Sequence, residues 1–231
     1  MIQLYQFPSY WNLPSASPFC IKLETYLKLA EIPYKSNVIY DPRKAPKGKL
    51  PYIKDGEKII ADSSLIIEYL KKTYGDKLDG DLTPEQKAIA MSVQRLCEEH
   101  LYWIIMYNRW VSDAGWKIVN PVFFGKLSAP LRWFLPEMIR KNIKKACYNH
   151  GIGRFTDDER FLLGKQDLDA IVQLLGSKPY FLGDHPTSID AVLFGFLSPL
   201  LNTPVPSQLR EYAQQNLVLT AYDRRMQKIF A

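Results

Sequence analysis

Three short groups of residues in this 231-residue chain have types and spacing that could do chemistry together. The first is Ser17-Pro18-Phe19-Cys20, where the strand-like run Ile2–Phe7 hands over to a helix. A thiol with a pKa near 8.5 is little ionised at neutral pH. A hydroxyl donor and the positive end of a helix both favour its thiolate. The second is Pro51, which leads the strand-like Tyr52-Ile53. A cis bond there would turn the backbone of Leu50 toward a ligand, so that an extended peptide could pair with it as an added strand. The same proline also fits an edge strand that it keeps out of the ladder. The third is Asp62-Ser63, ahead of Leu65-Ile66-Ile67-Glu68-Tyr69-Leu70. An acid and a hydroxyl at a helix start can hold an amino group and a carboxylate, or one of Asp62, Ser63 and Ser64 can cap the helix.

The elements that must position these groups follow from periodicity and punctuation. Ile2–Phe7 reads as a strand. Ser17 followed by Pro18 is the order of an N-cap and a first-turn proline, and Phe19, Leu23, Tyr26, Leu27 and Ala30 recur at helical spacing over residues 18–31. Tyr34–Tyr40 reads as a second strand and Asp41–Gly48 as a loop. Asp55-Gly56 between two strand runs signals a hairpin. A helix over residues 63–74 follows, with Gly75 as its C-terminal cap. This β-α-β, then β-β-α order is that of a thioredoxin-like domain. A polar linker at Asp76–Leu82 separates it from an almost wholly helical remainder, giving domains of residues 1–76 and 84–231. Thr83-Pro84-Glu85-Gln86 combines an N-cap, a first-turn proline and a capping-box glutamine, and starts a helix to about Val111. Asp113–Gly115 breaks the pattern, and helices are expected near 121–128, 131–149, 157–176, 188–201 and 208–230. Thr187 and Asp190 form a capping box at the start of an apolar helix, where the first N–H groups need partners other than water.

Composition excludes several classes. Thirty basic residues against 24 acidic ones give +6, a modest excess. Its one concentration, Arg140, Lys141, Lys144 and Lys145, suits a solvated helix face better than a nucleic-acid patch. Cys20, Cys97 and Cys147 are too few and scattered for a disulfide framework, which favours a reducing, cytoplasmic setting. No secretory signal is visible. The longest apolar stretch, Ile189–Leu201, is shorter than a membrane span and reads as a buried core helix.

The hairpin-to-helix spacing from Pro51 to Asp62-Ser63, with Ser17 upstream, resembles the glutathione transferase superfamily. Further into the chain, His100-Leu101-Tyr102-Trp103, Tyr107-Asn108-Arg109-Trp110, Gly151-Ile152-Gly153-Arg154 and Pro186–Phe194 resemble its failed-axon-connections and metaxin branch. The resemblance covers nearly the whole chain. It implies an α/β thioredoxin-like domain followed by an all-helical domain, with glutathione as co-substrate and no metal. Asp62 would pair with the γ-glutamyl amino group, Ser63 would hold its carboxylate, and Leu50 beside Pro51 would pair with the cysteinyl backbone. Lys47 and Lys49 are within reach of the glycine carboxylate. Ser17 would stabilise the thiolate, and Ser-Pro-Phe resembles the plant tau-type enzymes. Ser15, Tyr5 and Cys20 stay open as alternatives, although Ser17 in place of a first cysteine removes a dithiol mechanism. Tyr102, Trp103, Met106, Tyr107 and Trp110 are offset by three, four and seven, so several share a helix face that suits core or a pocket for a flat apolar electrophile, with Arg109 at its rim. The expected function is glutathione transfer to a small hydrophobic electrophile; the rival is a non-catalytic interaction or transport module. The expected partner is that electrophile, with no nucleic acid and no transmembrane segment, and homodimer formation stays open.

Overall fold

The computed structural model describes residues 1–230. Strands β1 (Ile2–Gln6), β2 (Tyr34–Val38), β3 (Tyr52–Asp55) and β4 (Lys58–Ala61) form one sheet in the order β2-β1-β3-β4. β1 runs parallel to β2 and antiparallel to β3, with Tyr5 opposite Tyr52, and β3 and β4 form the expected hairpin. Gly56 sits in that turn at φ +58°, a conformation that costs a glycine little. Helices α1 (Pro18–Leu29) and α2 (Ser63–Tyr74) supply the apolar cover. Leu23, Tyr26, Leu27, Ile66 and Leu70 from these helices bury against Ile2, Leu4 and Ile53 of the sheet.

The second half is helical. α3 (Pro84–Arg95) continues through a π-type turn at Leu96–Leu101, α4 (Tyr102–Met106) and a second π-type turn at Tyr107–Val111. The Thr83 box forms in both directions: Thr83 accepts from the Gln86 N–H, and the Gln86 side chain accepts from the Thr83 N–H. Then come α5 (Asp113–Phe124), α6 (Leu131–His150), α7 (Asp157–Leu175), α8 (Ser188–Asn202), α9 (Gln208–Gln215) and α10 (Leu217–Gln227). Two expectations need correction. Asp113–Gly115 opens α5 instead of interrupting the helices, because the Ser112 hydroxyl caps the Gly115 N–H at 3.0 Å. The expected helix over 208–230 breaks at Asn216, whose side chain accepts from the Val218 and Leu219 N–H groups and so starts α10.

Helix α8 is the axis of the molecule. Every residue from Ile189 to Leu201 is buried, which explains the apolar run, and among the described residues no helix is long and apolar enough to cross a membrane. The Asp190 carboxylate accepts from the N–H and hydroxyl of Thr187 at 2.8 and 2.9 Å. It also accepts from the Phe181 N–H and the Tyr222 hydroxyl, both at 2.8 Å. The expected capping interaction is therefore present and extends to two further segments. α8 packs closely on α1, since a Cβ at Gly195 would stand 2.8 Å from the Pro18 carbonyl oxygen. That contact fixes the first turn of α1 against the helical half.

Candidate active site

Ser17 is the N-cap of α1, with Pro18 in the first turn, as its sequence order implies. Its side chain makes no capping bond and is partly exposed. The hydroxyl therefore remains at the positive end of a twelve-residue helix, beside N–H groups that no side chain caps. The alternatives fare differently. Ser15 is fully buried and its hydroxyl donates to the Phe7 carbonyl at 3.0 Å, so it holds the loop that precedes the helix. Cys20 is fully buried, and burial pushes its thiol up to about 11 despite nearby donors at Phe7, Ser17 and Ser15. It is an inert packing thiol at neutral pH. Tyr5 is stacked on Tyr52, ring centroids 4.3 Å apart, in a small cluster with Cys20, Ala45 and Leu50.

That cluster brings the first two groups together. Cys20 of α1 packs with Leu50, and the Leu50–Pro51 bond is cis. Pro51 is itself buried at the start of β3, while Lys47 and Lys49 are exposed in the loop before it.

The third group is tied in from below. Asp62 has φ +89°, a strained value for a residue with a side chain, and strain of this kind gathers at functional sites. One carboxylate oxygen caps α2 by accepting from the Ser64 and Leu65 N–H groups at 3.0 and 3.2 Å. Its other oxygen has no hydrogen-bond partner among the described residues, so capping and ligand binding are compatible uses of one side chain. Ser63 is buried to 3% exposure, and its hydroxyl has no partner among the described residues. Ser64 accepts from Lys22 Nζ at 2.8 Å and from Gln94 Nε2 at 2.9 Å.

Lys22 and Gln94 belong to a network that sequence reasoning missed. Lys22, one turn beyond Ser17 on α1, is fully buried and forms an ion pair of 2.5 Å with Glu98 on the first π-type turn. Gln94 bonds the same carboxylate, and Arg95 reaches it at 3.3 Å. Burial lowers the Lys22 pKa, while Glu98 and, more weakly, Asp62 act to raise it. The pair joins the N-terminal helices to the helical half directly beneath Asp62-Ser63-Ser64. Residues 76 positions apart carry no local signal of pairing, although a lysine inside Phe19-Cys20-Ile21-Lys22-Leu23 is an anomaly that asks for an acid.

Next to these groups lies a cleft of about 270 Å³. Lys49 stands on one side and Tyr102, Trp103 and Met106 on the other. Tyr102 also packs edge-on against Phe19, two residues after Ser17, and burial pushes its phenol up to about 12, so it stays protonated. The remaining wall comes from α6 through Ile139, Asn142, Ile143 and Ala146, none of which stood out in the sequence. The other expected pocket residues lie elsewhere. Trp110 packs in a separate cluster with Trp116, Phe123 and Phe124, and Tyr107 packs under the Arg160 guanidinium. Arg109 is no rim residue: it is 4% exposed and donates to the Ala16 carbonyl at 3.0 Å. Tyr107 keeps the ordinary helical bond to Trp103 and turns toward Arg160, while Arg109 and Trp110 lie within the second π-type turn, whose wider winding departs from ideal helical spacing.

Residues 18–115 match the family description of a glutathione S-transferase N-terminal domain, and residues 164–226 match that of the C-terminal domain. The isoprene-epoxide glutathione S-transferase of Rhodococcus sp. (strain AD45) is 36% identical across 99% of this chain and 98% of its own. The chain belongs to the glutathione S-transferase superfamily. Within it, failed axon connections of Drosophila melanogaster is 36% identical over 92% of the chain, and human metaxin-1 is 28% identical over 89%. The chain spans about half of each of those two proteins, 53% and 46%. The fold also matches solved glutathione transferase structures at low identity. The β-etherase LigF of Sphingobium sp. strain SYK-6 superposes with a TM-score of 0.67 at 17% identity, covering 99% of this chain and 98% of that one. A glutathione S-transferase of Ceriporiopsis subvermispora in complex with glutathione gives 0.62 at 21%, covering 99% and 96%. In this superfamily the sheet with α1 and α2 is the thioredoxin-like domain, and α3–α10 form the helical one.

Proposed function

We propose that the protein conjugates glutathione to a small hydrophobic electrophile. The observation that carries this reading is Ser17: a partly exposed hydroxyl, free of capping duty, at the N-terminus of α1. Glutathione lies with its γ-glutamyl end on Asp62 and Ser63, its cysteinyl backbone against Leu50, and its glycine carboxylate toward Lys47 or Lys49. The thiol loses its proton to solvent, and the Ser17 hydroxyl donates to the thiolate. With an epoxide, the class named for the Rhodococcus relative, sulfur forms a bond to a ring carbon. The carbon–oxygen bond opens, and the oxygen takes a proton from water. Tyr102, Trp103 and α6 receive the apolar part of the electrophile. Purified protein should be retained on immobilised glutathione, be eluted by free glutathione, and open a small aliphatic epoxide with consumption of the thiol. Retention without turnover on epoxides or aryl halides would support the second reading, a glutathione-fold interaction module. That reading draws on the similarity to failed axon connections and metaxin-1. The setting we propose is the cytoplasm, in keeping with three free, buried cysteines.

A further inference from the structure

The first turn of α6 stands clear of the rest of the molecule. Leu131, Arg132, Trp133 and Phe134 are all exposed, although four successive residues point to every side of a helix. The loop before them, residues 125–130, is exposed apart from a half-buried Leu127, and burial begins only at Leu135 and Pro136. Leu131, Trp133, Phe134 and Met138 each show more than half of their surface, with Trp133 at 65% and Phe134 at 71%. Single apolar side chains on a surface are ordinary. Four large ones within eight residues, on a projecting turn, mark a surface that meets something apolar.

The charges around this tip say what that partner is. Lys126 and Arg132 are exposed within it, and Lys141, Lys144 and Lys145 are exposed further along α6. None of these five forms an ion pair among the described residues. Arg140, their neighbour in sequence, instead turns inward to Asp113 and the Val111 carbonyl. Glu137 is the one acid between Gly125 and Lys145. Leu131, Phe134, Met138, Lys141 and Lys145 follow one another at steps of three and four, so one side of α6 is apolar at its start and cationic beyond. At about 1.5 Å per residue the lysines stand roughly 10–16 Å behind Phe134. An apolar element at a membrane surface sinks about 5–10 Å into the boundary of headgroups and acyl chains, which leaves such lysines near the headgroups. A second copy of this chain fits worse. Two tips facing each other would bring like charges together, and four side chains fall short of the roughly 20–30 residues a side of a stable interface.

We propose that the start of α6 docks on an anionic lipid surface, with Trp133 and Phe134 entering the boundary layer and Lys141, Lys144 and Lys145 meeting the headgroups. The aromatic rings supply the apolar contact, and the lysines make it selective for negative charge. This is attachment to a surface: among the described residues no helix is long and apolar enough to cross a membrane. The wall that α6 gives to the cleft begins at Ile139, directly after Met138. Docking would therefore hold that cleft close to the phase in which apolar electrophiles collect.

The test is co-sedimentation with vesicles of phosphatidylcholine alone and of phosphatidylcholine mixed with phosphatidylserine. The protein should bind the mixed vesicles, bind the neutral ones far more weakly, and be released as salt is raised. Trp133→Ser with Phe134→Ser should weaken binding roughly tenfold or more, since each ring buried in the membrane accounts for about that factor. Its melting temperature should match the wild type, because both side chains are exposed. Brominated acyl chains should quench part of the wild-type tryptophan fluorescence, and Trp133→Phe should still bind while losing that quenching. Absence of binding to the mixed vesicles would overturn the proposal, as would full binding by the double serine variant. A concentration-dependent dimer that the double variant abolishes, without vesicle binding, would overturn it in favour of a second copy.

Discussion

Replacing Asp190 by alanine tests the structural logic of the helical half. In the wild type its two carboxylate oxygens receive four donors from Phe181, Thr187 and Tyr222, all in buried surroundings. The Thr187 hydroxyl can rotate to another acceptor, and the Tyr222 hydroxyl retains a long contact of 3.4 Å to the Asp190 carbonyl. The Phe181 and Thr187 N–H groups have no such recourse. Each buried donor left unmet costs about 1–3 kcal/mol. A partial offset comes from the carboxylate itself, whose burial raises its pKa and so opposes its ionised form. A net loss of about 3–4 kcal/mol is expected, equivalent to roughly 6–16 °C in melting temperature for a chain of this size. Asp190→Asn should fall between, because an amide offers one acceptor where the wild type has two and turns its NH2 toward donors. Chemical denaturation measures the loss, and glutathione affinity of the remaining folded protein should be unchanged. A melting temperature of Asp190→Ala within about 2 °C of the wild type would refute the reasoning.

Two further perturbations address the join between the domains. Lys22→Met should cost about 3 kcal/mol, because it takes the buried cation from Glu98 and leaves that carboxylate only Gln94 and the more exposed Arg95. Lys22→Met with Glu98→Leu should recover most of that loss, as measured by denaturant unfolding; a double variant as unstable as the single would refute the pairing argument. Asp79 offers a pH test. Its burial acts to raise its pKa, but bonds from Lys71 Nζ at 2.5 Å and from the Ser188 N–H and hydroxyl outweigh burial and hold it below the ordinary value. A carboxylate with a depressed folded pKa stabilises the fold above its unfolded value, near 4, and loses that contribution as pH falls through its folded value. The stability gap between wild type and Asp79→Asn should therefore be constant near neutrality and close in that acid window. A gap that persists unchanged below it would contradict the assignment.

Local patterns were legible wherever neighbours in sequence decide the outcome. Ser17-Pro18, Thr83-Pro84-Glu85-Gln86 and Thr187–Asp190 each mark a helix start in a few residues, and the structure begins helices at all three. The alternation of strand and helix before Gly75 led to the sheet, and Pro51 to the cis bond. Tertiary relations were not legible. Lys22 and Glu98 meet only because α1 packs on the helical half, a closeness that Gly195 makes possible. The wall that α6 gives to the cleft has the same origin. Arg109 and Trp110 sit within the π-type turn Tyr107–Val111, whose wider winding shifts the face that each side chain presents and leaves no mark in the sequence. Tyr107 keeps its helical register and is taken by Arg160, a tertiary contact.

The claim that Ser17 activates glutathione is tested most directly by the thiol pKa of bound glutathione, followed through thiolate absorbance as pH is raised. In the wild-type complex the thiol should titrate well below its free value, with thiolate present at neutral pH. In Ser17→Ala the pKa should return toward that value while glutathione affinity changes little, and Cys20→Ser should behave as the wild type, since the Cys20 thiol is buried and pushed up to about 11. An ordinary thiol pKa in the wild-type complex, or a lowered one that survives in Ser17→Ala, would contradict the account.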